Sequence, residues 1–116
     1  MDENILKWLF DIKTSIGEIE SYFENSKFVF EDYKSNVMLK RAVERDIEII
    51  GEATNRIIKL EPNYINLISE SKSIVSLRNQ VIHAYDNISD EKIWAILINH
   101  LPILKIEIES LLNPYL

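Results

Sequence analysis

Apolar residues return at alternating spacings of four and three through the first segment, as Ile5, Leu9, Ile12, Ile16, Ile19 and Phe23. That rhythm lays one apolar stripe along a helix. It predicts a helix from about Glu3 to Glu24, with Lys7, Asp11, Lys13, Glu18 and Glu20 largely off the stripe. The run NSKFVFEDYKSN is less regular and fits a short helix or a helical turn between loops. A second long helix is expected from near Asn36 to Leu60, on Val43, Ile47, Ile50, Thr54 and Ile57. Pro62 stops it, because proline disfavours helical geometry in the residue before it. Gly51 lies inside that helix, where glycine costs about 1 kcal/mol relative to alanine. The close approach of another helix would explain it.

NYINLISE fits a short helix. SKSIVSLRNQVIHAY follows as a third long element, with Ile74, Leu77, Val81 and Ala84 facing inward. Asp86 and Asn87 suit a turn, and Ser89 is placed to cap the last helix. Asp90 and Glu91 suit the positive end of that helix. It carries Ile93, Leu97, Leu101, Leu104, Ile108 and Leu111, and Pro102 should kink or break it. Four long helices with short connections favour an up-and-down bundle.

Composition narrows the class further. A chain of 116 residues is about one domain. Two glycines and three prolines are too few for a turn-rich sheet protein. The absence of cysteine removes disulfides, thiolate zinc sites and cysteine nucleophiles. The N-terminus MDENILKWLF lacks the basic start and long apolar run of a signal peptide, and no stretch approaches the roughly 20 apolar residues of a membrane span. A soluble cytoplasmic protein is the expectation. The net charge of −6 argues against a general nucleic-acid coat, though not against a local basic cleft.

The candidate chemistry lies in RNQVIHAYDN, which holds Arg78, Asn79, His83 and Tyr85 in a chain with two histidines. Arginine grips phosphate with parallel hydrogen bonds, and histidine exchanges protons near neutral pH. Together they suffice for RNA cleavage without a metal: the histidine takes the proton of a ribose 2′-hydroxyl, and the arginine stabilises charge on the attacked phosphate. On a regular helix, however, Arg78 and His83 stand ~140° apart. They converge poorly on the flank of one straight helix and better at a helix end or where two copies meet. An arginine capping carbonyls and a half-buried histidine would give the same spacing.

RNQVIHAY resembles the R-x4-H-x-Y signature of the HepT-like toxins, members of the HEPN superfamily of helical ribonucleases. RAVERDIEIIGEATNRI, at 41–57, is similar to the family's second helix, and DEKIWAILINHLPILKIEIESLL, at 90–112, to its closing helix. The resemblance implies an all-α, four- to five-helix bundle of HEPN type over residues 1–116, pairing as a homodimer with both motifs in one cleft. It further implies the toxin component of a type VII-like HepT/MNT toxin–antitoxin system. The activity would be that of a metal-independent endoribonuclease acting on RNA. The partner would be an MNT-type nucleotidyltransferase antitoxin that silences the toxin by transferring AMP to Tyr85. On this resemblance Arg78 binds phosphate, His83 is the general acid or base, and Asn79 orients substrate or His83. Relatives often carry a Pro-Trp pair and a glycine before the arginine, where this chain reads SKSIVSLRN.

Arg41 and Arg45 are candidates for substrate binding beside that cleft, with Glu52 contributing charge. The spacings of Arg41, Arg45, Glu48 and Glu52 also fit a salt-bridged helix face. His100 has no metal-ligand partner spacing and is expected to be structural; neither a metal nor a bound nucleotide cofactor is expected. Trp8 and Trp94, on apolar faces, are expected to be packing residues. The competing reading is a non-catalytic HEPN binding or regulatory subunit of a nucleotidyltransferase complex, which the acidity favours. A helical dimerisation protein is the third.

Overall fold

The computed structural model describes residues 1–24, 28–83 and 89–116. Its regular structure there is entirely helical: α1 (Glu3–Tyr22), α2 (Phe30–Ser35), α3 (Val37–Leu60), α4 (Ser71–His83), α5 (Asp90–Asn99) and α6 (Leu101–Leu112), with short 3-10 turns at Pro62–Ile65 and Asn113–Tyr115. The apolar stripe of α1 is buried, from Ile5 through Phe23. The less regular run after it resolves into α2, and NYINLISE gives one 3-10 turn instead of a short α-helix. The expected last helix is two. The backbone N–H of His100 closes α5 on the Ile96 carbonyl, and α6 restarts with Pro102 in its first turn. A proline there forfeits no hydrogen bond, because first-turn N–H groups have no helical partner.

Side chains close three helix starts, of which the Ser89 cap is the one expected from the sequence. Asp2 accepts from the backbone N–H groups of Asn4 and Ile5 at 2.7 and 3.2 Å. Asn36 caps α3 through the Leu39 N–H at 3.0 Å, and Ser89 caps α5 through the Lys92 N–H at 3.1 Å. Each such cap is worth about 1 kcal/mol.

The helix α3 is the centre of the molecule. It packs along α1 on one side and α4 on the other, while α6 lies against α1 and α5. Ile47, Ile50 and Ile57 of α3 join Leu9 and Ile12 of α1, Ile74 and Leu77 of α4 and Leu104 of α6 in one core. Burying each such side chain contributes roughly 1.5–3 kcal/mol. Trp94 ties α5 to α2 and to the end of α1. Its ring lies 4.7 Å from Phe28, 5.7 Å from Phe30 and Tyr33, and 6.1 Å from Phe23.

Polar contacts fix the start of α4. His100 Nδ1 pairs with the Glu70 carboxylate, and both Glu107 oxygens accept from the Ser69 N–H at 3.1 Å. His100 thus has a structural partner. Between α1 and α3, buried Asp46 accepts a 2.6 Å hydrogen bond from the Tyr22 hydroxyl. Burial and the nearby Glu18 push the Asp46 carboxyl up to about 6, against the opposing effect of Tyr22 and Ser15. The same hydrogen bond to Asp46 raises Tyr22 to about 12.

Candidate functional site

The site is built where α4 meets α3. A Cβ placed on Gly51 would overlap the Cβ of Arg78 and lie 2.6 Å from its Cγ. Only a residue without a side chain lets Arg78 lie this low against α3, which accounts for a glycine inside the helix.

The guanidinium that emerges from this contact is held on two sides. Its Nη2 donates to Glu52 Oε2, and its Nη1 donates to Asn79 Oδ1 at 2.8 Å. The other oxygen of Glu52 accepts from Arg56 Nε at 2.9 Å. One carboxylate therefore bridges two guanidinium groups, one from α3 itself and one from α4. The Arg78 Nε is buried without a partner among the described residues. Each terminal nitrogen of Arg78 keeps a second N–H, so an oriented arginine still has donors for an anion.

Arg78 opens onto a cavity of about 310 Å³ between α1, α3 and α4, which Trp8, Arg45, Glu52 and Arg56 also line. Arg45 pairs there with Glu48 at 3.2 Å. Arg41 is exposed and does not line that cavity; it lies near Glu44, whose carboxyl burial pushes upward and whose charge Arg41 and Lys40 partly offset. The candidate pair Arg41 and Arg45 is thus split, and Arg56 stands beside Arg78 instead of Arg41. The expected salt-bridged face exists in part, as Arg45 with Glu48.

His83 is exposed and lines a different cavity, of about 620 Å³, together with Asn79, Lys72 and Asn55. Arg78 and His83 thus open onto different cavities of one chain, as their angular separation on a helix requires. Asn79 connects the two, since it lines the cavity of His83 while its amide oxygen holds Arg78. Tyr85 lies outside the described residues. Among the described residues no group of three or more His, Cys, Asp or Glu is arranged to hold a metal ion, and no helix is long and apolar enough to cross a membrane.

The family model described as "Ribonuclease HepT-like" matches residues 12–111. The chain belongs to the HepT-like ribonuclease family. Among curated relatives, "Putative RNase MJ0127" of Methanocaldococcus jannaschii is 30% identical over 96% of this chain and 89% of its own length. "Putative RNase TTE0752" of Caldanaerobacter subterraneus subsp. tengcongensis is 31% identical over 84% of this chain and 88% of its own. "Probable ribonuclease HepT" of Thermococcus cleftensis is 30% identical over 90% of this chain and 92% of its own. No solved structure matches the chain. The HepT-like match covers α3 and α4 whole, and so Arg45, Glu52, Arg56, Arg78, Asn79 and His83, while Trp8 and Asp11 of α1 precede it.

Trp8 and Asp11 stand beside Arg78 with no local signal in the sequence to place them there. Both lie on α1, some seventy residues away in the chain. Trp8 differs from Ile5 and Leu9 in being half-buried instead of buried, a distinction no local pattern carries.

Proposed function

We propose that this chain is the toxin of a type VII-like HepT/MNT toxin–antitoxin pair. It cleaves RNA without a metal, in a cleft that two copies of the chain complete. The observation that carries this reading is the arrangement around Arg78: a guanidinium oriented by Glu52 and Asn79, five residues before an exposed histidine. Such an arginine is fit to stabilise charge developing on a phosphate, and such a histidine is free to meet a ribose. A homodimer resolves their divergence, because the Arg78 of one copy can then face substrate together with a second copy's His83.

In this mechanism a His83 imidazole removes the proton of the 2′-hydroxyl. The 2′-oxygen attacks the adjacent phosphorus, and the bond to the 5′-oxygen breaks. A 2′,3′-cyclic phosphate forms, and the leaving 5′-oxygen takes a proton from an imidazolium or water. Arg78 neutralises the non-bridging oxygens as charge builds, while Arg45 guides the RNA backbone from one side. Arg41, exposed near the start of α3, extends that track.

Silencing is assigned to an MNT-type nucleotidyltransferase antitoxin. The Tyr85 hydroxyl attacks the α-phosphorus of ATP, pyrophosphate leaves, and AMP remains on the tyrosine. The added phosphate puts negative charge on the motif that would bind RNA phosphate.

The test is RNA cleavage in EDTA by protein expressed with and without the nucleotidyltransferase, with intact mass measured for both forms. Cleavage by the free form, and an inert form heavier by AMP on Tyr85, are expected. A free dimer that leaves RNA intact overturns the nuclease reading.

A further inference from the structure

The two tryptophans of the chain have different surroundings. Trp94, also half-buried, lies in an aromatic cluster with Phe23, Phe28, Phe30 and Tyr33. Trp8 is half-buried against the core and shares the 310 Å³ cavity of Arg78. That volume is at the small end for a ligand pocket, suited to a group of about nucleotide size.

The charges in this cavity offset one another. Arg45, Arg56 and Arg78 face Asp11, Glu48 and Glu52. Arg45 is paired with Glu48, and both Arg56 and Arg78 with Glu52. A phosphate inside would gain one set of contacts and meet repulsion from the other. Ile49, Ala53 and Ile82 give the cavity an apolar part. A flat, neutral group with hydrogen-bonding edges satisfies all three features: a face for Trp8, edges for carboxylate and guanidinium, and no net charge. Nucleobases have that chemistry, and single-stranded RNA is commonly held by stacking its bases on aromatic rings and arginine planes.

We infer that the cavity between α1, α3 and α4 is a nucleobase subsite, in which Trp8 stacks against one RNA base next to the phosphate held by Arg78. This rests on the ribonuclease reading and adds to it the residue that seats the substrate. Trp8 is a substrate-binding residue here, set by α1, an element outside the signature.

Two measurements on the full-length protein test the subsite. Steady-state cleavage of a single-stranded RNA oligonucleotide is compared for wild type, Trp8→Leu and Trp8→Phe. Base–aromatic stacking is worth about 1–3 kcal/mol, so Trp8→Leu should raise KM by roughly fivefold to a hundredfold with kcat little changed, and Trp8→Phe should recover most of the loss. Separately, Trp8 fluorescence is followed in a Trp94→Phe background as a 2′-O-methyl oligonucleotide, which cannot be cleaved, is added. Quenching by this oligonucleotide, and none by an abasic one of equal length, is expected. An unchanged KM in folded Trp8→Leu, or equal quenching by both oligonucleotides, overturns the subsite and leaves the nuclease reading standing. Cleavage absent in wild type sinks the nuclease reading, and the quenching result alone then decides whether the cavity takes a base.

Discussion

Gly51 and Arg78 meet across the α3–α4 contact with no space for a methyl group between them. The Cβ and Cγ of Arg78 occupy the volume a side chain at position 51 would need, and its guanidinium continues past them to Glu52 one residue further along α3. The packing of the two helices and the aim of the arginine are therefore one arrangement.

Gly51→Ala should separate the helices. Overpacking of this kind costs about 1–3 kcal/mol, partly offset by the roughly 1 kcal/mol alanine gains in a helix. A net loss of stability in urea denaturation is expected, with RNA cleavage falling as Arg78 is displaced. Gly17 of α1 is the control, since a Cβ there meets nothing within 4 Å. Gly17→Ala should raise stability by up to about 1 kcal/mol and leave cleavage unchanged.

Arg78 and His83 should separate stability from activity. His83 is exposed, so His83→Ala should stay within about 0.5 kcal/mol of wild type while losing about 10²–10⁴ in kcat. Arg78 is only 22% exposed at its side chain and holds Glu52 and Asn79, so Arg78→Ala should lose both activity and stability. Thermal melts beside single-turnover cleavage check the contrast; equal stability losses would make His83 a packing residue.

Glu52→Gln should weaken the hold on Arg78 without creating a cavity. A misplaced catalytic group costs on the order of tenfold to a hundredfold in rate. If Glu52 acts only through Arg78, the double variant Glu52→Gln with Arg78→Ala should be no slower than Arg78→Ala alone. Additive losses would mean that Glu52 acts on substrate directly.

Asp46 should make folding pH-dependent away from the site. Its carboxyl rises from 3.8 to about 6 in the folded chain, so the folded state binds the proton more tightly than the unfolded one. Stability from this group is then greatest below about pH 4 and declines as pH rises to about 6. Asp46→Asn, neutral at every pH, should lack this decline. Urea denaturation of both proteins from acid to neutral pH checks it, and parallel stability curves would contradict it.

Much of the architecture is legible in the linear pattern because helical periodicity is local. The stripe of α1, the cap at Ser89 and the break near Pro102 each depend on neighbours within about one helical turn. The 3-10 turn at Pro62–Ile65 was less clear, since short apolar runs fit several conformations. Among site residues, Arg78, Asn79 and His83 were visible as a motif, and their divergence followed from helix geometry. The partners of Arg78 were not. Glu52 and Arg56 share a helix face with several charges, and spacing alone cannot say which of them another helix will meet.

The helical stripes, the Ser89 cap and the short signature on α4 are written in the linear chain, because each follows from the covalent order of residues and the 3.6-residue turn. Folding alone sets Gly51 against Arg78, bridges that arginine to Arg56 through Glu52, turns Arg78 and His83 to separate cavities, and brings Trp8 beside the arginine. Those relations join residues from separate helices, and they exist only once burial of the apolar faces has set α1, α3 and α4 against one another.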